Sequence, residues 1–235
     1  MRPFRALARL TRTRRLASLV VVILATSATI AGATAVTLTS GLLATSSKTL
    51  THATCTLQGT AQAIDSEVRA ANPNNNYQTN TTMLTEGTGS QRKVYVEFTL
   101  SACSPALPAN AEVDSATLTL WATAVGGTRT LKLYRTTSTW TEAGITWNTQ
   151  PTSTPASPTT SFSVSATGTQ TIDVSNDVND FLQTSPSALP PYGAVVTNYG
   201  WMIDDEGTGT TTITFASSEN GTAAHRPKLV IAYAS

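Results

Sequence analysis

The side chains best spaced to hold a ligand flank Gly126-Gly127. Upstream, Ala116, Leu118, Leu120 and Ala122 alternate with Thr117, Thr119, Trp121 and Thr123. Downstream, Leu131 and Leu133 alternate with Lys132 and Tyr134. Period-two spacing reads as two half-buried strands, and a Gly-Gly pair fits a two-residue hairpin turn. In that register Trp121 lies opposite Lys132, and Tyr134 opposite Thr119. Trp121 and Tyr134 become diagonal neighbours on the face away from the core. An indole there offers a platform for the C–H face of a sugar ring. Thr119 and Lys132 can bond its hydroxyls, and Lys132 attracts an anionic sugar. In the alternative reading a loop covers Trp121.

Clustered acids give a second kind of chemistry. Asp204, Asp205 and Glu206 precede Gly207, and three carboxylates before a glycine form a candidate Ca²⁺ loop. A solvated hairpin turn accounts for the same residues. Asp65, with Glu67, is a further candidate for a structural Ca²⁺; no other cofactor is expected. Asp173, Asp177 and Asp180 lie around a segment of helical period, residues 173–182. There, Ser175 reads as the N-cap and the acids as a capped, solvated helix, with a ligand set as the alternative. Catalytic signatures are missing. The chain has no His-Glu-x-x-His, no Gly-x-Ser-x-Gly and no phosphate-binding glycine loop. His52 and His225 are its two histidines. Neither has ligand spacing to a cysteine, and His225 precedes a strand entrance at Arg226-Pro227.

The elements that must position these groups are organised around residues 139–151. There Trp140 and Trp147 flank a turn at Glu142-Ala143-Gly144, and Pro151 stops ladder pairing. Two indoles across a turn can fold onto one core edge as a corner lock, with Glu142 tying the turn to backbone. They can also stack a sugar. Around them, Val94, Val96, Phe98 and Leu100 alternate with polar residues, as in a half-buried strand. Further strands are expected over 162–172 around a Gly168 turn, and over 199–203, 211–217 and 228–233.

The pattern Trp140-x-Glu142-x-x-x-Thr146-Trp147-Asn148-x-x-Pro151 resembles the signature of DNRLRE domains, which are related to disaggregatase segments and to a class of carbohydrate-binding modules. Other stretches agree with it: Asn76-Tyr77, residues 92–100, the strand at 114–120, Asn198-Tyr199-Gly200, and Phe215 to Glu219. Arg226-Pro227-Lys228-Leu229 matches the closing strand. Two cysteines are additional to the family pattern, and Thr99 stands where an Asp is usual. The resemblance covers about residues 60–235. It implies a jelly roll that binds polysaccharide.

Composition agrees with an all-β reading. Charged residues are 12%, and Thr, Ser, Ala and Val abound. The formal charge of +1 hides an asymmetry. Six of the fifteen basic residues lie within the first fifteen positions; the remainder carries 9 basic against 14 acidic residues, 9 − 14 = −5. An acidic domain without basic clusters excludes a nucleic-acid partner. Residues 16–47 carry no charge, and small-residue sites at 31–35 fit a cleaved secretion signal; an uncleaved anchor is the alternative. Residues 1–38 are therefore expected to be a hydrophobic signal or anchor helix, the only route to a membrane. Residues 39–55 read as a Thr/Ser-rich linker and 56–235 as the domain. Cys55 and Cys103, an even pair in an exported chain, read as a disulfide, with two free thiols as the rival.

The expected architecture is an antiparallel β-sandwich, a jelly roll with one short helix. The expected function is a non-catalytic carbohydrate-binding module of a secreted or cell-surface protein. Its partner would be a polysaccharide or cell-wall glycan. A structural or adhesive surface domain, and a polysaccharide lyase or hydrolase, are the alternatives.

Overall fold

The computed structural model describes residues 51–153, 158–184, 195–206 and 210–234. The signal or anchor segment and most of the linker lie outside the described residues. Eleven strands are found among the described residues: β1 (His52–Gln58), β2 (Ala63–Arg69), β3 (Thr82–Thr85), β4 (Arg92–Phe98), β5 (Glu112–Val125), β6 (Arg129–Arg135), β7 (Thr160–Val164), β8 (Gly168–Asp173), β9 (Trp201–Asp204), β10 (Ile213–Ala216) and β11 (Lys228–Ala234). One α-helix, α1 (Ser175–Leu182), follows β8. The first strand starts at His52, so the final residues of the expected linker are sheet.

The strands form two antiparallel sheets. One has the order β1-β11-β5-β10-β3, with β8 on the other edge of β5; the second runs β2-β4-β9-β6-β7. Nearly every connection crosses between sheets, as in a jelly roll. The core lies between them. Leu118 and Leu120 of β5 and Leu229 and Ile231 of β11 face Val94, Val96 and Phe98 of β4 and Leu131 and Leu133 of β6. Each such side chain contributes about 1.5–3 kcal/mol on full burial. The cysteines form the expected disulfide, with Cα atoms 5.4 Å apart, and Cys55 is within this core.

The crossing connections overturn two expected hairpins. The strands on either side of Gly126-Gly127 do not pair, because β5 and β6 belong to different sheets. Neither glycine has the positive φ that a two-residue hairpin turn demands at its first position. Gly126 instead keeps β5 beside the β10 edge. Its N–H bonds the Thr212 carbonyl at 3.0 Å, and a Cβ there would lie 3.1 Å from the Thr211 Cβ. Likewise β9 and β10, which the acids 204–206 were expected to join as a hairpin, lie in opposite sheets.

Helix α1 also differs at its start. Its N-cap is Val174, and Ser175 is the first helical residue. The Asp173 carboxylate takes the capping role: Oδ1 accepts the Ser175 N–H at 2.9 Å.

Asn198-Tyr199-Gly200 sets the entry to β9. Asn198 donates its side-chain amide to the Phe98 carbonyl at 2.8 Å and accepts the Gly200 N–H at 3.0 Å. Gly200 has φ +71°, and a Cβ on it would stand 2.1 Å from the Val96 carbonyl oxygen. Gly200→Ala should therefore cost at least about 2 kcal/mol in urea unfolding, from the strained φ and the backbone clash. Replacing Cys55 and Cys103 together by Ser opens a loop of 48 positions. It should cost about 4 kcal/mol in the same assay.

Candidate functional site

The outer faces of the two sheets are finished differently. Alternation along β5 sends Thr117, Thr119 and Trp121 outward, opposite the core set Ala116, Leu118, Leu120 and Ala122. On one side β8 places Thr171 opposite Thr119 and Thr169 opposite Trp121. On the other, β11 places Lys228 opposite Thr119, and β1 places Gln58 opposite Lys228. Thr56, Thr169 and Thr171 are exposed, while Thr119, Trp121 and Lys228 are half-buried. The result is a broad surface of hydroxyls with an amide, an ammonium and, opposite Thr117, the exposed carboxylate of Asp173.

His225 completes it. The imidazole stacks on the Trp121 indole with centroids 3.9 Å apart and planes 11° from parallel. Gln58 holds the turn Ala223–His225 by donating to the Ala223 and Arg226 carbonyls at 3.0 and 3.1 Å. Arg226 donates to the Asn220 carbonyl at 2.8 Å, and Pro227 is buried at the strand start. One face of the indole is thus covered by the imidazole, and the pair forms a two-ring platform.

Of the four expected ligand residues, Thr119 and Trp121 share this face and the other two do not. Tyr134 lies in the opposite sheet, 6% exposed, packed with Trp140, Ile145 and Met202. Lys132 is on that sheet too and pairs with Glu206. The diagonal Trp121–Tyr134 pair is therefore corrected, since its hairpin register does not form. His225 and Lys228 were missed. The sequence places them around Arg226-Pro227, but nothing local indicates the stacking.

The outer face of the second sheet is sealed by the 139–151 segment. Trp140, 8% exposed, donates its indole N–H to the Tyr199 carbonyl at 3.0 Å and meets Tyr95 at a centroid distance of 5.9 Å. Asn76 donates to the carbonyls of Glu142 and Ile145, each at 2.7 Å. Glu142 Oε1 accepts the Asp65 N–H at 2.9 Å. Trp147 packs against this cluster with Lys93 above its ring, Asn148 donates to Asn74, and Pro151 is buried. Strand β4, expected to be half-buried, is covered on both faces at Tyr95. A depression lined by Thr139, Trp140, Gly144, Ile145 and Thr149 opens on this cover.

The acids of the expected Ca²⁺ loop are each tied elsewhere. Asp204 pairs with Lys93 at 3.1 Å, buried Asp205 with Arg129 through two bonds, and Glu206 with Lys132. Glu67 accepts from Arg69 and from the Leu84 N–H at 2.8 Å. Asp177 accepts from Thr159 and Trp201 at 2.7 Å and faces Arg135, which also pairs with Asp180. Burial raises the Asp177 carboxyl despite these donors. The carboxylates that do converge among the described residues are Asp65, Glu142 and Glu219, whose offered oxygens lie within 4.8 Å of one another. Burial pushes Asp65 well above the ordinary range, and the charges of Glu219 and Glu142 add to it. Glu142 is also raised, first by burial and then by Glu219.

Residues 56–233 match the family described as carbohydrate-binding module family 96. Among curated proteins no match is found.

Glu97, beside Gly200 in β4, has its carboxyl raised by burial from 4.5 to about 7. Below 4.5 it is protonated in both the folded and the unfolded chain. Between 4.5 and about 7 the unfolded chain releases a proton that the folded chain keeps, so stability falls as pH rises. Above that window the loss is complete. Melting curves from pH 4 to 8 should show Glu97→Gln losing less stability across this window than the parent chain.

Proposed function

The chain belongs to carbohydrate-binding module family 96, and from that premise we propose that it binds a polysaccharide on the open face of the β5 sheet. The observation that carries this reading is the contrast between the two outer faces. One is sealed by the chain's own 139–151 segment. The other is left to solvent, with hydroxyls in rows and a stacked Trp121–His225 pair among them. Broad sheet faces suit extended chains, because successive sugars meet successive strands. The stacked rings offer an apolar platform to a sugar C–H face, while Thr119, Thr171 and Gln58 exchange hydrogen bonds with hydroxyls. Lys228 supplies the cation that favours an acidic polysaccharide.

The module works without catalysis, on a secreted or cell-surface protein. The Cys55–Cys103 disulfide fits an oxidising compartment. A structural or adhesive surface domain is the second reading, favoured by the imidazole that covers one side of Trp121.

A glycan array followed by calorimetry on the full chain tests the proposal. Binding should weaken at least tenfold, about 1.4 kcal/mol, in Trp121→Ala and in His225→Ala. Tyr134→Phe should leave it unchanged, because that ring is inside the other sheet's cover. Lys228→Ala should weaken binding to acidic glycans and reduce its salt dependence. No binding to any polysaccharide by the folded chain would leave the structural-domain reading.

A further inference from the structure

Asp65 comes from β2, Glu142 from the 139–151 cover and Glu219 from the β10–β11 connection. Each brings a carboxylate oxygen within 4.8 Å of the other two. Asp65 is 1% exposed. Its Oδ2 accepts the Ser218 N–H at 2.8 Å, while its Oδ1 is buried with no partner. Glu219 repeats the pattern: Oε1 accepts from the Ser218 hydroxyl at 2.8 Å and Oε2 is buried and unpartnered. Among the described residues no Lys, Arg or His forms an ion pair with any of the three. Glu67, two positions along the same strand, shows the usual remedy: Arg69 neutralises it. Buried charge without a counter-charge is costly, and buried oxygens without donors are rare.

We propose that Asp65, Glu142 and Glu219 bind a calcium ion. The donor set is all oxygen, as a hard cation requires, and it contains no imidazole or thiolate that would favour zinc or copper. The three oxygens all lie within 4.8 Å of one another, a spacing of the order of two Ca–O distances of about 2.4 Å. One ion between them is within reach of all three carboxylates with side-chain adjustment alone. Magnesium, at about 2.1 Å, demands near-ideal octahedral geometry and gives up its waters reluctantly, so a set of protein carboxylates suits calcium better. The ion would fasten the cover segment and the β10–β11 connection to the edge strand β2. This site differs from the expected loop at 204–206 and shares with the sequence reading only Asp65.

The test uses the full chain stripped with a chelator, then melted and titrated calorimetrically with CaCl2 or MgCl2. At a calcium concentration about a hundredfold above Kd the midpoint should rise by roughly 5–10 °C. Magnesium at the same concentration should give a smaller shift. Asp65→Asn and the double variant Glu142→Gln/Glu219→Gln should lose the shift. Glu219→Gln alone, a milder change that keeps the fold, should weaken calcium binding at least tenfold. Neither heat nor shift in the parent chain at about 10 mM CaCl2, well above the range of extracellular modules, would overturn the proposal. So would an equal response to magnesium, or a full response retained by Glu219→Gln.

Discussion

Everything on the β2-β4-β9-β6-β7 sheet depends on how its outer face is covered. That face carries Val68, Tyr95, Tyr134 and Met202, which would be costly to leave in water. The chain covers them with the 139–151 segment instead of a third sheet. A covering loop carries backbone groups that must be satisfied, and its side chains can satisfy backbone groups beneath it; the locks here do both. Trp140 donates to Tyr199, Asn76 to Glu142 and Ile145, and Asp65 to the Glu142 carboxylate. Trp140 is buried in this cover and Trp147 partly so, and both indoles contribute packing area to it.

The opposite face has no such cover from the 139–151 segment. The β5 sheet packs one side on the core, and its other side is threonine-rich, with side chains of neighbouring strands in register. The aromatic pair is assembled from β5 and from the turn before β11. Its rigidity comes from Gln58 and Arg226, which hold that turn to neighbouring carbonyls. The β10–β11 connection therefore serves two places at once: Glu219 near its start joins the acid cluster, and His225 near its end stacks on Trp121.

Charge follows the same economy. Inward-pointing acids on an edge strand protect it from pairing with another chain, and Asp65 and Glu67 of β2 point to the core side, in register with Val96 and Val94. Glu67 reaches an arginine and a backbone N–H. Asp65 reaches a backbone N–H and two further acids. Two neighbours on one strand thus have opposite electrostatic settings, decided by what the rest of the chain brings to each.

Much of this was legible in the sequence where the signal is local. Alternation identified β4, β5 and β6 and told which side of each faces the core, because a strand's two faces are written in successive residues. The tryptophan-rich motif identified the family's kind, and the even cysteine pair the disulfide. Tertiary structure alone decided which strand sits beside which. Period two is a property of one strand and carries no address for its partner. Gly126-Gly127 permits a hairpin but does not impose one, and packing two sheets around a single core sent β6 across the sandwich. That step separated Trp121 from Tyr134 and set it against His225, about a hundred positions away in the chain. It also drew Asp65, Glu142 and Glu219 together from three distant segments. Contacts between remote residues depend on the summed burial of the whole domain, and no short stretch of sequence contains that sum.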